Sequence, residues 1–175
     1  MSDMGSEEAA LEQAEEVALL VKTGLTEERE IKLEHGASLL RIVEFVASER
    51  GLLVEELAIF REGEVEELGL ELVITPDYPH HRRHHVHHKS LVNVMVFYGV
   101  KEASREFERH ATVEEVLTWA VAVKEFGIDP AVAPEFELAR HNVKEELPGT
   151  EHIGHLAGHT KVLELDLVRG DIANG

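Results

Sequence analysis

Half of the 12 histidines in this 175-residue chain fall within one nine-residue segment. They are His80, His81, His84, His85, His87 and His88. Neutral imidazoles bind borderline-soft divalent ions, so the segment is a candidate metal site. It could equally be a pH switch, because up to six imidazoles would become charged between about pH 7 and pH 5. A third interpretation, a solvated linker, is the one we favour, since a flexible histidine run binds metal adventitiously.

A second histidine group, His152, His155 and His159, has a spacing that would place three imidazoles on one face of a helix. Gly154 and Gly158 interrupt the segment, and each glycine disfavours a helix by about 1 kcal/mol relative to alanine. The segment also has no HExxH pattern. We therefore predict a turn with exposed histidines here rather than a zinc site.

The composition excludes several classes of protein. The chain has no cysteine, which removes disulfides, thiolate metal sites and a cysteine nucleophile. Its 35 acidic and 17 basic residues give a net charge of −18, which repels phosphate backbones and argues against a nucleic-acid partner. No GxSxG, P-loop or GxGxxG string is present, so we expect neither an enzyme nor a bound cofactor.

The start of the chain is acidic and lacks the basic and apolar regions of a secretory signal. No apolar run approaches the 18 or so residues that a transmembrane helix requires. The sequence therefore predicts a cytoplasmic protein without a membrane partner.

The elements that position the histidines occur in two similar copies. The first copy begins with an apolar run at 17–21, a turn at Thr23-Gly24 and a segment at 30–34 that alternates polar and apolar residues, which together predict a hairpin. A helix should follow, capped by Ser38 and ended by Gly51. Apolar residues at 57–60 and 70–74 then predict further strands.

The second copy repeats this order. A strand is predicted at 92–98, and Thr112 with Glu115 matches the capping box of a helix that should end at Gly127. Residues 136–138 alternate polar and apolar side chains, and the leucine-rich segment 163–167 is the clearest strand pattern in the chain.

The spacing supports a duplication. The predicted caps Ser38 and Thr112 lie 74 positions apart, and Gly51 and Gly127 lie 76 apart. We predict an α+β protein of two tandem domains, each a mixed sheet with one main helix, the alternative being a single α+β domain. The predicted segments are a mobile acidic tail over 1–13, a first domain over 14–75, a Pro/His-rich linker over 76–90, a second domain over 91–170, and a C-terminal tail over 171–175.

A hairpin, one helix across it and a return to a leucine-rich strand resemble the β-grasp fold of ubiquitin. Residues 161–170 are similar to the last strand of that family, and a short tail leads on to Gly175. Two such domains in tandem resemble the interferon-induced two-domain modifier of vertebrates. They also resemble the ubiquitin-like modifiers of bacterial conjugation operons that are linked to phage defence. The resemblance covers residues 16–175.

This resemblance implies a protein modifier. The carboxylate of Gly175 would be adenylated by an E1-like enzyme with ATP, passed through E1 and E2 thioesters, and joined to a nucleophile of a target protein by an isopeptide bond. A deubiquitinase-like protease would be a further partner. The conjugation tail would be Asp171, Ile172, Ala173 and Asn174. Asn174 departs from the family pattern, which usually ends in Gly-Gly.

Two other functions remain open from the sequence. The acidic domains could form a noncovalent interaction or self-assembly module that binds a basic partner or a second copy of the chain. The histidine-rich linker could alternatively act as a metal buffer.

Overall fold

The computed structural model describes residues 15–170. The tails predicted over 1–13 and 171–175 lie outside the described residues. The chain divides into two compact units, with the boundary between His88 and Lys89. No helix within residues 15–170 is long and apolar enough to cross a membrane.

The first unit is a four-stranded mixed sheet with one main helix. Its elements are strands β1 (Glu16–Lys22), β2 (Glu28–Glu34), β3 (Leu57–Arg61) and β4 (Arg83–His88), and helix α1 (Leu40–Arg50). The strand order is β2-β1-β4-β3. Strands β1 and β2 form the predicted antiparallel hairpin, β1 and β4 pair in parallel, and β3 and β4 are antiparallel.

Alternation along the strands creates the core of this unit. Every second residue of β1 is fully buried, as a strand with one face on a core requires. Helix α1 supplies the opposite side of the core, and Gly51 ends the helix in the left-handed conformation (φ 66°). The core includes Val17, Leu19, Val21, Ile42, Val43, Val46, Ile59 and Val86.

The prediction of a linker over 76–90 is wrong for residues 83–88. These residues form β4, which lies between β1 and β3 inside the sheet. Neutral imidazole is flat and largely carbon, so it packs in a sheet interior when its nitrogens have partners. A hydropathy pattern that treats histidine as polar therefore misses this strand. Among the six residues of β4, only Val86 has an apolar side chain.

The predicted strand at 70–74 is also wrong. This segment makes only an isolated bridge, between Val73 and Ser38. Its carbonyls instead accept the free amides at the start of α1, with Leu39 N donating to Leu72 O and Leu40 N to Leu70 O, both at 3.0 Å.

Those contacts replace the side-chain cap predicted for the first helix. The N-cap position is Leu39, and no side-chain hydrogen bond caps it. Ser38 is therefore not the cap. Backbone carbonyls of the 70–74 segment already accept hydrogen bonds from amides at the start of the helix, which is the role predicted for the serine hydroxyl.

The second unit repeats the architecture. Its strand order is β6-β5-β8-β7, with β5 and β8 parallel and the other neighbours antiparallel. The elements are β5 (Val92–Tyr98), β6 (Lys101–Phe107), α2 (Val113–Val121), β7 (Phe136–Arg140), α3 (Ile153–Ala157) and β8 (Val162–Arg169). The core includes Val92, Val94, Val96, Val116, Leu138, Ile153, Leu163, Leu165 and Leu167.

The capping box of α2 is confirmed. Thr112 Oγ1 accepts from Glu115 N at 3.3 Å, and Glu115 Oε2 accepts from Thr112 N at 3.4 Å. The helix ends at Val121, earlier than predicted, because Val123 is extended. Gly127 ends a following 3-10 turn, Lys124–Phe126.

The prediction of an α+β protein with two mixed sheets, each with one main helix, is confirmed. The alternative of a single α+β domain is wrong, since each unit has its own sheet and its own core.

The two helix starts generate a matched pair of variants. Thr112→Ala removes a hydroxyl that caps α2 and should lower the free energy of unfolding of the second unit by about 1 kcal/mol. Ser38→Ala removes a hydroxyl that caps nothing and should change stability by less than about 0.5 kcal/mol. Urea unfolding followed by circular dichroism measures both. The single tryptophan, Trp119, lies in α2 and reports on the second unit by fluorescence. Equal losses in the two variants would contradict the assignment.

Candidate functional sites: the histidine strand and the C-terminal strand

Strand β4 directs one of its histidines into the core of the first unit. His84 is fully buried, and its ring stacks on that of Tyr78 with centroids 5.8 Å apart. Tyr78 Oη lies 2.6 Å from His84 Nε2, and the carbonyl of Arg82 lies 2.9 Å from His84 Nδ1. Arg61 Nη2 donates to Tyr78 Oη at 3.1 Å.

These contacts define the protonation state of His84. A carbonyl can only accept, so Nδ1 carries the hydrogen, and Nε2 accepts from the Tyr78 hydroxyl. The hydroxyl oxygen in turn accepts from Arg61. Burial lowers the pKa of His84 to about 4, with the Arg61 and Arg82 charges acting in the same direction. Because both ring nitrogens are used inside the unit, His84 is a structural residue rather than a metal ligand.

His85 and His87 project from the opposite face of β4. Their rings are parallel, with an interplanar angle of 1° and centroids 6.2 Å apart, and both side chains are buried. His85 Nε2 lies 3.6 Å from Glu62 Oε1. Burial lowers the pKa of His85 to about 4, and the charges of Lys22 and Arg83 add to this effect. His85 is therefore neutral at pH 7.

The remaining histidines of the segment lie elsewhere. His80 and His81 are exposed in the loop before β4, and His81 Nε2 faces Glu30 at 3.7 Å. His88 Nε2, at the end of the strand, faces Glu56 at 3.8 Å. The six candidate metal ligands thus form separate groups rather than one site.

Two of the interpretations offered by the sequence need correction. The solvated linker is wrong for His84, His85 and His87, which are buried in β4. The switch of six charges between pH 7 and pH 5 is wrong for His84 and His85, since the pKa of each is about 4.

The second histidine group also differs from prediction. His152 and His155 are buried, with parallel rings 5.6 Å apart, while His159 is exposed as predicted. Residues 153–157 form helix α3 despite Gly154, because the amide of this glycine donates to the carbonyl of Arg109 at 2.8 Å. Tertiary hydrogen bonding outweighs the low helix propensity of glycine.

The second unit contains a histidine–carboxylate pair that no sequence pattern indicated. His141 Nδ1 lies 2.7 Å from Asp166 Oδ1, and Asn142 N donates to the other carboxylate oxygen at 2.9 Å. The imidazole stacks on Phe97 with centroids 4.3 Å apart. The carboxylate fixes the orientation of this ring, as it does in many histidine sites. The two partners are 25 positions apart in different elements, so no local motif could have indicated the pair.

The C-terminal strand β8 leads to the predicted conjugation tail. It lies between β5 and β7, and its three leucines are buried. At its end, Arg169 pairs with Glu135 and lies over the ring of Phe136, with its guanidinium carbon 5.7 Å from the centroid. Gly170 is the last described residue, and the predicted site residues 171–175 lie outside the described range.

Comparison with known proteins identifies the class of the second unit. A family model described as BilA ubiquitin-like domain 2 matches residues 93–170. The first unit has the same strand order, the same parallel pairing and one main helix in the same place. The second unit is therefore similar to a ubiquitin-like domain, and both units have the predicted β-grasp architecture. Ubiquitin-like domains are not themselves enzymes, in agreement with the prediction of a non-enzyme.

Similar solved structures include a chain of the pParkin-pUb-UbcH7 complex, with 23% identity and a TM-score of 0.37 over 45% of this chain and 25% of that one. Ubiquitin from Caldiarchaeum subterraneum matches 46% of this chain and 94% of its own, with 20% identity and a TM-score of 0.36. An N-terminal ubiquitin-like domain solved in solution matches 43% of this chain and 77% of its own, with 16% identity and a TM-score of 0.36. A search of curated proteins found no match.

The buried position of His84 generates a pH prediction. Its pKa is about 4 in the folded unit and 6.5 as the unperturbed value, so the unfolded chain binds the proton first. The stabilisation from neutral His84 is complete above about pH 6.5 and is lost as the pH falls towards 4, by up to about 3 kcal/mol. Urea unfolding across this range, in buffer with a chelator, measures it. The loss should be smaller in His84→Gln than in His81→Gln, its exposed control.

Ring NMR provides a second measurement if His84→Gln does not fold. In the unsubstituted protein, the His84 nitrogens should report a neutral Nδ1–H imidazole at pH 5.5. A ring that titrates near pH 6.5 would contradict the assignment.

Proposed function

We propose that this chain is a ubiquitin-like protein modifier and that the carboxylate of Gly175, at a native or processed end, is the group joined to a target. The observation that carries the proposal is the match of residues 93–170 to a ubiquitin-like domain. The matched range ends immediately before the five residues 171–175, which finish in glycine.

The proposed reaction has four steps. A carboxylate oxygen of Gly175 attacks the α-phosphorus of ATP on an E1-like enzyme, which forms an acyl-adenylate and releases pyrophosphate. A thiolate of the enzyme displaces AMP, and the thioester then passes to an E2-like enzyme. A lysine amine of the target attacks the thioester carbonyl and expels the thiolate, leaving an isopeptide bond. Every thiol belongs to a partner, because this chain has no cysteine.

The residue types at the end of the chain support this proposal. Glycine has no Cβ, so a nucleotide or thiol can approach the carbonyl of Gly175 from either side. Asp171, Ile172, Ala173 and Asn174 would form the conjugation tail. Asn174 replaces the glycine that is usual at the penultimate position, so the activating enzyme should have room for an amide side chain there.

The proposed setting is a bacterial conjugation system linked to phage defence, with a deubiquitinase-like protease that releases the modifier. Adenylation consumes ATP, so we place the reaction in the cytoplasm. The tandem arrangement of the two ubiquitin-like domains supports this setting, which is part of the proposal.

A matched pair of glycine variants tests the role of Gly175. The chain ending at Gly175 is incubated with ATP and with the E1-like and E2-like proteins of the proposed conjugation system. We expect thiol-sensitive adducts on both enzymes and then thiol-resistant conjugates. Deletion of Gly175 should abolish all of them. Gly170→Ala should retain the adducts and conjugates. A Cβ at this position would lie 3.4–3.5 Å from its nearest neighbours, Glu137 and Glu135, which is an ordinary van der Waals distance.

The opposite pattern would support a different function. With no adduct in any combination and no effect of deleting Gly175, conjugation is excluded. Binding of a basic partner that survives this deletion but is lost on charge reversal in the domains would indicate an acidic interaction or self-assembly module. The net charge of −18 is the observation that favours this second candidate.

A further inference from the structure

The pair formed by His85 and His87 has a geometry suited to shared chelation. The residues are two apart on β4, so both side chains leave the same face of the sheet. A ligand nitrogen of one imidazole lies within 4.8 Å of a ligand nitrogen of the other. Two Zn–N bonds of about 2.0–2.1 Å at a tetrahedral angle require about 3.4 Å between the nitrogens. Small side-chain rotations close that difference.

A carboxylate lies beside His85. Glu62, immediately after β3, places Oε1 3.6 Å from His85 Nε2. Arg83 Nη1 donates to the same oxygen at 3.1 Å, and Arg83 is itself held by Glu28, whose Oε2 accepts from Nε at 2.6 Å. The Glu62 carboxylate is therefore oriented by a second layer of contacts, as metal-binding carboxylates usually are. Its side chain is 49% exposed.

We propose that Glu62, His85 and His87 bind a divalent transition-metal ion in the first unit. Two imidazoles and one carboxylate suit zinc, cobalt, nickel and copper rather than magnesium or calcium, which prefer oxygen ligands alone. Water would complete the coordination. This site is independent of the proposed conjugation through Gly175.

Two neighbours show which histidines take part. His84 directly precedes His85 in sequence, but its ring nitrogens contact Tyr78 and the Arg82 carbonyl. His80 and His81 are exposed, and their rings are tilted by 50° to each other. His80 and His81 belong to the same histidine-rich segment, but their rings are not parallel as those of His85 and His87 are. They therefore provide the matched control.

Metal titration of the full chain tests the proposal. The chelator-stripped protein is titrated with Co²⁺, followed by its visible absorption, and the affinity for Zn²⁺ is then measured by competition. Replacement of both His85 and His87 by alanine should remove one bound ion and weaken affinity by at least about 100-fold, and Glu62→Gln should weaken it by about tenfold. Replacement of both His80 and His81 by alanine should leave this ion in place.

A variant that strengthens binding separates coordination from simple destabilisation. Lys22 carries a positive charge close enough to His85 to lower its pKa, and the same charge repels a bound cation. Lys22→Gln should tighten Zn²⁺ binding by about threefold. Circular dichroism shows whether the doubly substituted chain folds. If it does not, the test is whether Glu62→Gln weakens Zn²⁺ binding while Lys22→Gln strengthens it.

The result that overturns the proposal is equally specific. If the variant lacking His85 and His87 keeps the affinity of the unsubstituted chain, or if the His80 and His81 control loses as much, the metal is bound adventitiously by exposed histidines.

Discussion

Parallel pairing of a unit's first strand with its last is the constraint on which the rest of the structure depends. Strands β1 and β4 pair in this way in the first unit, and β5 and β8 do so in the second. Parallel neighbours require a long connection, and in each unit that connection carries the helix across one face of the sheet. The last strand of each unit also pairs with β3 or β7 on its other side, so it lies in the interior of its sheet. In β4 this position is occupied even though most of the side chains are histidines.

This constraint explains the different environments of the histidines. An interior strand exposes neither edge, and successive side chains alternate between its two faces. In β4 the alternation sends His84 into the core, where Tyr78 and the Arg82 carbonyl satisfy its ring, and sends His85 and His87 to the other face beside Glu62. The histidines of β4 look equivalent in the sequence, but the pleat places them on two faces of the sheet with different partners.

The same reasoning shows which parts of the fold were predictable from sequence. The hairpins, the main helices α1 and α2 and the cap at Thr112 were predictable because their signals are local: alternation, period and capping chemistry. Strand β4 was missed, since its partners β1 and β3 lie far away in sequence and histidine gives no apolar signal. The segment 70–74 was predicted as a strand because its residues are apolar, yet its carbonyls bind the start of α1. The pairing of His141 with Asp166 depends entirely on the tertiary fold.

The hydrogen-bond ladders also determine how firmly β8 is held in its sheet. Strand β8 pairs with β5 as far as Asp166 and with β7 as far as Arg169. Pulling the strand out would break two ladders and expose three buried leucines, so β8 resists unravelling from its end. Past Arg169, whose guanidinium is held by Glu135 and Phe136, no ladder continues in the described chain. The sheet therefore holds β8 as far as its last residue, Arg169, and the segment for which we propose a role in conjugation follows Gly170 in the sequence.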